Sequence, residues 1–417
     1  MLKKISTAAL RKGMFVDQFC GSWLDHPFWS RKLFIENDKT LESIVLSSIT
    51  EVVIDTTKGA DVASRPSNCA TPDPEPAPET DADPISAAEV PAAGAPAVVS
   101  ELPVSVALED EVQRAKAIFR HGKQAVRSMF QEVRLGKALD TEGLRDLVED
   151  MNRSLARNPH ALLSVARIKH KDEYTYLHSV AVAALMVGLA RAAELDEATV
   201  RDAGMAGLLH DLGKAMMPEA VLNKPGRLTD QEFEVMRQHP LEGYKLLQAW
   251  QDVPEPVLDV CLHHHEKMDG SGYPERLPAE QISIMARMGA ICDVYDAITS
   301  NRPYKAGWDP SESLSRMASW QGHFDPTLLQ LFVRMLGIYP VGSLVRLSSG
   351  RLGVVVEQNA GALLLPYVRV FYSATLKQAV PVTLINLAEP GENERIQARE
   401  DPQDWPFKNL ERFWMGD

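Results

Sequence analysis

From about residue 105 to 338 the apolar side chains recur mostly at three- and four-residue spacing, the period of a helix with one face turned to a core. Helix starts punctuate this stretch. Thr229 with Glu232 reads as a capping box. Asp309-Pro310 and Asp325-Pro326 each set a capping side chain before a proline in the first turn. On either side the pattern changes. Within residues 1–60, LFIEND and EVVIDTT are rich in β-branched residues and read as strands. After Pro340, SLVRLSSGRLGVVVEQ and LLLPYVRVFYS alternate or run continuously apolar around a Ser-Gly turn, which predicts a small antiparallel sheet. The expected architecture is therefore mainly α, a helical bundle with a small β-containing N-terminal domain and a short C-terminal β appendix.

Residues 61–104 break every periodicity. The stretch TPDPEPAPETDADPISAAEVPAAGAPA is Pro-, Ala- and acid-rich and nearly without large apolar residues, so it buries too little surface to offset its ordering entropy and reads as a disordered linker. Charge follows the same division. The net charge is −13, of which residues 61–100 carry −6 and residues 389–417, read as an acidic tail, carry −4. The acidity thus sits in linker and tail, where it favours solubility. No basic run points to duplex DNA or RNA. The longest apolar run, VAVAALMVGLA at 180–190, is too short to span a bilayer, and Arg11 and Lys12 interrupt the N-terminal apolar stretch, making it a poor signal peptide. The four cysteines form no CxxC pair, which fits a reducing compartment. These features predict a cytoplasmic protein without membrane contact.

The helical block concentrates histidine and aspartate next to apolar sequence: His178 in YTYLHSV, His210-Asp211 in GLLHDLGK, His239 in MRQHPLEG, His264-His265 in HHHEKMDGSGYP, and Asp293 in AICDVYDA. A polar or charged group on such a face needs a partner. Any one of these is ordinarily a core histidine with one hydrogen bond, or a lone acid. Five such segments within about 120 residues point to a shared site. Adjacent helical residues point about 100° apart, so the pairs His210-Asp211 and His264-His265 suit two ions side by side better than one. The donors are all nitrogen or oxygen, which suits iron or manganese, with zinc possible. Two divalent ions about 3.5–4 Å apart are a recurring device for phosphoester hydrolysis. Lys214, three residues past Asp211, is placed to reach a phosphate or a nucleophilic water; its bland reading is a helix-end lysine.

DGSGYP follows the histidine pair directly. Gly270 and Gly272 are expected to end the helix and permit positive φ, and Tyr273 before Pro274 is expected to be extended and to line the site. Downstream of Asp293, Arg302 and Lys305 in SNRPYK offer a fork and a point charge for phosphates.

Taken in order, YTYLHS, LLHDLGKAMMPEAVLNKPGRLT, HPLEG, HHEKMDGSGYP and ARMGAICDVYDAITSNRPYK resemble the HD-GYP domain, a bacterial subfamily of the HD metal-dependent phosphohydrolases. The resemblance covers residues 160–338, leaving 105–159 as a helical connector and 339–388 as the β appendix. Residues 1–60 resemble a small domain of unknown function often found in front of HD-GYP domains. The resemblance implies an HD-type helical fold and hydrolysis of cyclic di-GMP to pGpG, in some members on to GMP. It implies His178, His210, Asp211, His239, His264, His265 and Asp293 as ligands of two divalent ions, usually Fe or Mn. It further implies Asp211 and Lys214 at the chemistry, and Gly272, Tyr273, Pro274, Arg302 and Lys305 around the substrate. Members with three metals carry Glu four residues before the first ligand histidine; here that position is Tyr174, with Glu173 out of helical register, so a third metal is not expected. His263 matches no ligand position and is taken as a supporting or surface residue. The alternatives are a weakly active sensor of the dinucleotide, or a docking partner of a diguanylate cyclase (GGDEF protein), and an HD hydrolase of mononucleotides. Neither the native metal nor an oligomeric state follows from the sequence.

Overall fold

In the computed structural model of the chain the described residues are 2–20, 33–35, 41, 44, 51–60, 108–137, 141–167, 174–224, 226–250, 252–300, 307–359, 361–407 and 409–415. The expected linker at 61–104 lies outside them. Two long helices, α1 (Leu108–Arg134) and α2 (Thr141–Arg157), lead through the short α3 (Pro159–Ala166) into α4 (Tyr174–Ala192) and α5 (Glu197–Leu209). The one-turn α6 (Glu219–Leu222), α7 (Asp230–Met236), α8 (His239–Gln248), α9 (Glu255–His263), α10 (Ile284–Thr299), α11 (Pro310–Ser319) and α12 (Pro326–Leu336) complete the bundle. The capping signals act as expected. Thr229 and Glu232 form a reciprocal capping box, and Asp309 and Asp325 accept from the first-turn N–H groups of α11 and α12.

The apolar run at 180–190 is the centre of the bundle. Its residues from Val180 to Val187 are at most 2% exposed, so α4 is buried on every side, which is why its sequence lacks a polar face. It packs against α1, α3, α5, α10 and α12. Helices α1 and α2, expected as a connector, belong to the same core: Val112, Phe119, Val126 and Phe130 join Leu147, Met151 and Val180 in one cluster. An amphipathic helix of that length needs an apolar partner, and α4 supplies it. The join is reinforced by Glu111, fully buried on α1, whose carboxylate takes two bonds from Arg157 at 2.8 and 2.7 Å and one from Ser154 at 2.8 Å. Burial alone would raise the pKa of Glu111, but these donors outweigh it and lower the pKa.

The N-terminal strands β1 (Leu2–Ser6), β2 (Phe15–Cys20), β3 (Leu33–Phe34) and β4 (Glu51–Asp55) form an antiparallel sheet in the order β1-β4-β2-β3, over a small core of Met14, Val16, Ile35, Val52 and Ile54. The C-terminal sheet runs β5 (Leu344–Leu347), β6 (Arg351–Glu357), β7 (Tyr367–Ser373) and β8 (Gln378–Asn386) as a meander. A fifth strand, β9 (Ile396–Arg399), pairs with β5. Within residues 389–417, expected as an acidic tail, β9 thus adds an edge strand to the sheet, and a one-turn helix, α13 (Arg412–Met415), buries Phe413 and Trp414. The physical reason is aromatic: Trp405, Phe407, Phe413 and Trp414 carry more apolar surface than the surrounding acids can keep in water.

At the seam where α3 meets the end of α12, His160 lies beside Leu163, Leu336, Pro340 and Val341. Burial pushes its imidazole down to about 4. Between that value and the ordinary histidine pKa near 6.5 the unfolded chain binds the proton and the folded chain does not, so this histidine lowers stability as pH falls and has no effect above about 6.5. At pH 5 the cost is about 2 kcal/mol. His160→Gln should flatten the fall in Tm between pH 7.5 and pH 5; an unchanged pH slope in thermal melts would show that the proton is taken up without cost.

Candidate metal centre

The seven predicted side chains come from five separate segments. His178 stands in the second turn of α4. His210 caps the end of α5, and Asp211 opens the 3-10 turn Leu212–Met216. His239 is the first residue of α8, His264 caps the end of α9 with His265 just beyond it, and Asp293 lies midway along α10. All but His265 are buried. Backbone contact brings the second and third segments together. A Cβ on Gly213 would lie 1.9 Å from the carbonyl oxygen of His239 and 2.5 Å from the nitrogen of Gly243, so only glycine lets the turn after Asp211 rest on the start of α8.

Around Asp211 the nitrogens fall into two sets. Its Oδ2 lies 3.5 Å from His178 Nε2 and 3.3 Å from His210 Nε2; its Oδ1 lies 3.2 Å from His239 Nε2 and 3.9 Å from His264 Nε2. Asp293 faces both sets as well, with Oδ1 at 3.1 Å from His178 Nε2 and Oδ2 at 3.8 Å from His265 Nδ1. Two groups of donor atoms, His178/His210/Asp211 and His239/His264/His265, are each drawn within 4.8 Å. Lys214 folds back so that its ammonium donates to Asp211 Oδ2.

The outer ring nitrogens define the tautomers. His210 Nδ1 faces the carbonyl of Gly207 at 2.8 Å, His239 Nδ1 that of Met236 at 2.8 Å, and His264 Nδ1 that of Val260 at 3.0 Å. A carbonyl only accepts, so each Nδ1 carries the hydrogen and each Nε2 turns a lone pair inward. Burial, then the neighbouring imidazoles, holds the pKa of His264 well below the usual histidine value, and burial pushes His265 down to about 3. Burial also works against charge on Asp211, but the Lys214 ammonium and His210 outweigh it and keep the carboxyl ionised. For Asp293, too, burial is outweighed, here first by the His178 hydrogen bond, and its pKa is held well below the carboxylate range.

This arrangement has a defect that a cation repairs. His210 Nε2 and Asp211 Oδ1 are buried without a hydrogen-bond partner, and the acceptor nitrogens His239 Nε2 and His264 Nε2 face each other at 3.4 Å. Acceptors converging on one another in a dry interior are costly unless positive charge lies between them. The donor set of imidazoles and carboxylates fits divalent metal ions.

The loop beyond His265 forms one wall. Contrary to expectation, neither Gly270 nor Gly272 ends the histidine helix, which stops at His264. Gly270 has φ +73, as expected. Gly272 does not, and its reason for being glycine is different from the one expected. A Cβ there would stand 2.5 Å from Glu266 Cα and from Lys267 N, so the position is set by close approach of two backbone segments. The loop is tied down by Glu266, 2% exposed, whose carboxylate accepts from the N–H groups of Glu275, Arg276 and Leu277 at 2.7, 2.9 and 3.1 Å. Tyr273 stacks on His265 with centroids 4.6 Å apart and continues into Pro274 through a cis peptide. His263 turns away from the centre, its Nδ1 on Asp259 at 2.7 Å and its Nε2 on Glu275 at 3.2 Å. Arg302 and Lys305 lie outside the described residues, as do Glu173 and the side chain of Tyr174.

Sequence reasoning passed over Asp296, whose Oδ2 receives His178 Nδ1 at 2.6 Å. Its signal was the i, i+3 spacing from Asp293 in CDVYDA, which puts both acids on one face of α10. Carboxylates in this position orient a ligand histidine, and losing one typically costs about 10–100-fold in metal affinity or activity. Asp296→Asn should lower metal retention on dialysis by that order while the circular dichroism spectrum stays unchanged; full retention would remove Asp296 from this role.

A helical bundle whose buried imidazoles and carboxylates converge around one His-Asp pair, with a donor set that fits divalent metal, defines a metal-dependent hydrolase of the HD class. The comparisons agree. A family model described as an HD domain matches residues 145–328, and one described as a domain of unknown function (DUF3391) matches residues 2–144. The chain belongs to the HD-GYP family of phosphodiesterases that carry this N-terminal domain. It is 50% identical over 417 residues, all of this chain and 96% of the relative, to the cyclic di-GMP phosphodiesterase PA4108 of Pseudomonas aeruginosa. It is 39% identical over 45% of this chain and 50% of the relative to the cyclic di-GMP phosphodiesterase response regulator RpfG of Xanthomonas campestris, and 34% identical over 40% of this chain and 46% of the relative to a cyclic di-GMP phosphodiesterase of Thermotoga maritima. Among the described residues no helix is long and apolar enough to cross a membrane.

Proposed function

We propose that this chain hydrolyses cyclic di-GMP to the linear dinucleotide pGpG, with two divalent ions, iron or manganese, in the centre built around Asp211. The observation that carries the reading is the division of that carboxylate: one oxygen faces His178 and His210, the other His239 and His264. The full-length likeness to a protein named as a cyclic di-GMP phosphodiesterase supports the substrate. His178 and His210 would serve one ion and His239, His264 and His265 the other, with Asp211 and Asp293 between them. Bound ions of this kind neutralise phosphate oxygens and bring the pKa of a water from about 15.7 toward 7.

The protein's own groups do the rest. The hydrogen bonds on Nδ1 of His210, His239 and His264 orient the rings, with Nε2 of each turned inward. Lys214, held against Asp211, keeps a positive charge beside the position of the scissile phosphate, where charge grows as the P–O bond breaks. Tyr273 and Pro274 form the wall that confines the substrate. Arg302 and Lys305 are assigned the phosphates on their chemistry. The reading is tested by loading the protein with Mn²⁺ or, anaerobically, Fe²⁺, incubating it separately with cyclic di-GMP and dGTP, and resolving the products. Appearance of pGpG from cyclic di-GMP supports it; tight binding without turnover, or cleavage of dGTP alone, overturns it.

A further inference from the structure

Three planar groups run outward from the metal centre. The His265 ring stacks on Tyr273 at 4.6 Å, and the guanidinium of Arg237 lies over the Tyr273 ring at 4.7 Å. Arg237 is the residue that ends α7, two positions before His239, so the same short segment supplies a metal-centre histidine and this arginine. The guanidinium has contacts besides the Tyr273 ring. Nη1 donates to Glu234 Oε1 at 2.9 Å, the Phe233 ring lies 6.0 Å away, and the side chain is 23% exposed. Phe233 itself is 48% exposed, so its ring is open to a ligand.

We infer that Arg237 is a specificity-determining residue that reads the O6 and N7 acceptors of one guanine of the bound dinucleotide, with the exposed Phe233 ring as the adjoining apolar surface for that base. The inference rests on the functional reading above and narrows it. Charge decides between base and phosphate. With Glu234 on Nη1 at 2.9 Å the pair is close to neutral, which weakens its pull on a phosphate but leaves the Nε and Nη2 edge of the planar guanidinium for neutral acceptors. A guanine edge presents two acceptors side by side, whereas adenine presents an acceptor and a donor, so a fork held by stacking discriminates between them.

The test compares wild type, Arg237→Ala and Arg237→Lys, each checked for equal metal content, on cyclic di-GMP, cyclic di-AMP and bis(p-nitrophenyl) phosphate. The last is a diester with no base. In Arg237→Ala the ratio of kcat/KM for cyclic di-GMP to that for bis(p-nitrophenyl) phosphate should fall about tenfold, mainly through KM, and the preference for cyclic di-GMP over cyclic di-AMP should shrink by a similar factor. Arg237→Lys should not restore either ratio, because an ammonium is a point donor. Equal losses on all three substrates would mean that Arg237 acts only by propping Tyr273 and would overturn the inference, as would unchanged ratios or full rescue by lysine. Wild-type protein that cleaves bis(p-nitrophenyl) phosphate but not cyclic di-GMP would overturn the functional reading, and this inference with it.

Discussion

Asp211→Ala should strip the protein of bound metal and of cyclic di-GMP hydrolysis together. Each oxygen of this carboxylate faces a different set of imidazoles, so its loss removes a donor shared by both sets at once. It also deprives Lys214 of the partner that holds its ammonium in the site. Activity should fall on the order of 10³-fold, beyond the ~10–100-fold expected for losing a supporting residue such as Asp296. Metal analysis of protein purified without added metal should find less than one ion per chain, with the fold intact by circular dichroism. Retention of two ions with full turnover would refute the site.

The second large effect is expected from a residue with no side chain. Gly213→Ala places a Cβ 1.9 Å from the carbonyl oxygen of His239, and backbone atoms on a helix start cannot step aside as a side-chain tip can. Either the Leu212–Met216 turn or the first turn of α8 must move, and the two carry Asp211 and His239 respectively at their boundaries. Forcing extra volume into packed structure typically costs about 1–3 kcal/mol of stability. A misplacement near 1 Å at a catalytic constellation costs about 10²-fold in rate. The variant should therefore fold with a lower Tm, bind metal at the His239/His264/His265 position weakly, and turn over cyclic di-GMP about 10²-fold more slowly. Wild-type kinetics would mean that the backbone contact does not set the geometry.

Both predictions concern positions that differ in legibility. Asp211 announces itself: an ionised group beside an apolar helix, next to a histidine, is expensive unless used. Gly213 does not, because LGK reads as an ordinary helix end. Gly272 lies between the two cases. It was expected as a turn residue needing positive φ, yet its backbone is ordinary and its small size is what matters, since Glu266 and Lys267 pass within 2.5 Å of where a Cβ would be. The tail at 389–417 shows the same limit from another side. Its charge suggested a solvated segment, but β9 finds an unpaired edge on β5 and Trp414 finds a core, and neither partner is near in sequence.

What the sequence alone determined was local: the helical period, the caps at Thr229, Asp309 and Asp325, the fully apolar stretch that becomes the centre of the bundle, and the chemical identity of the seven donors. These depend on residues a few positions apart, whose relation is set by backbone geometry. Only the tertiary structure decided which oxygen of Asp211 meets which imidazoles, that Asp296 stands behind His178, and that Arg237 reaches the Tyr273 ring. Most of these contacts join residues tens to more than a hundred positions apart, and their distances come from how helices pack, where one added Cβ at Gly213 would meet the His239 carbonyl at 1.9 Å.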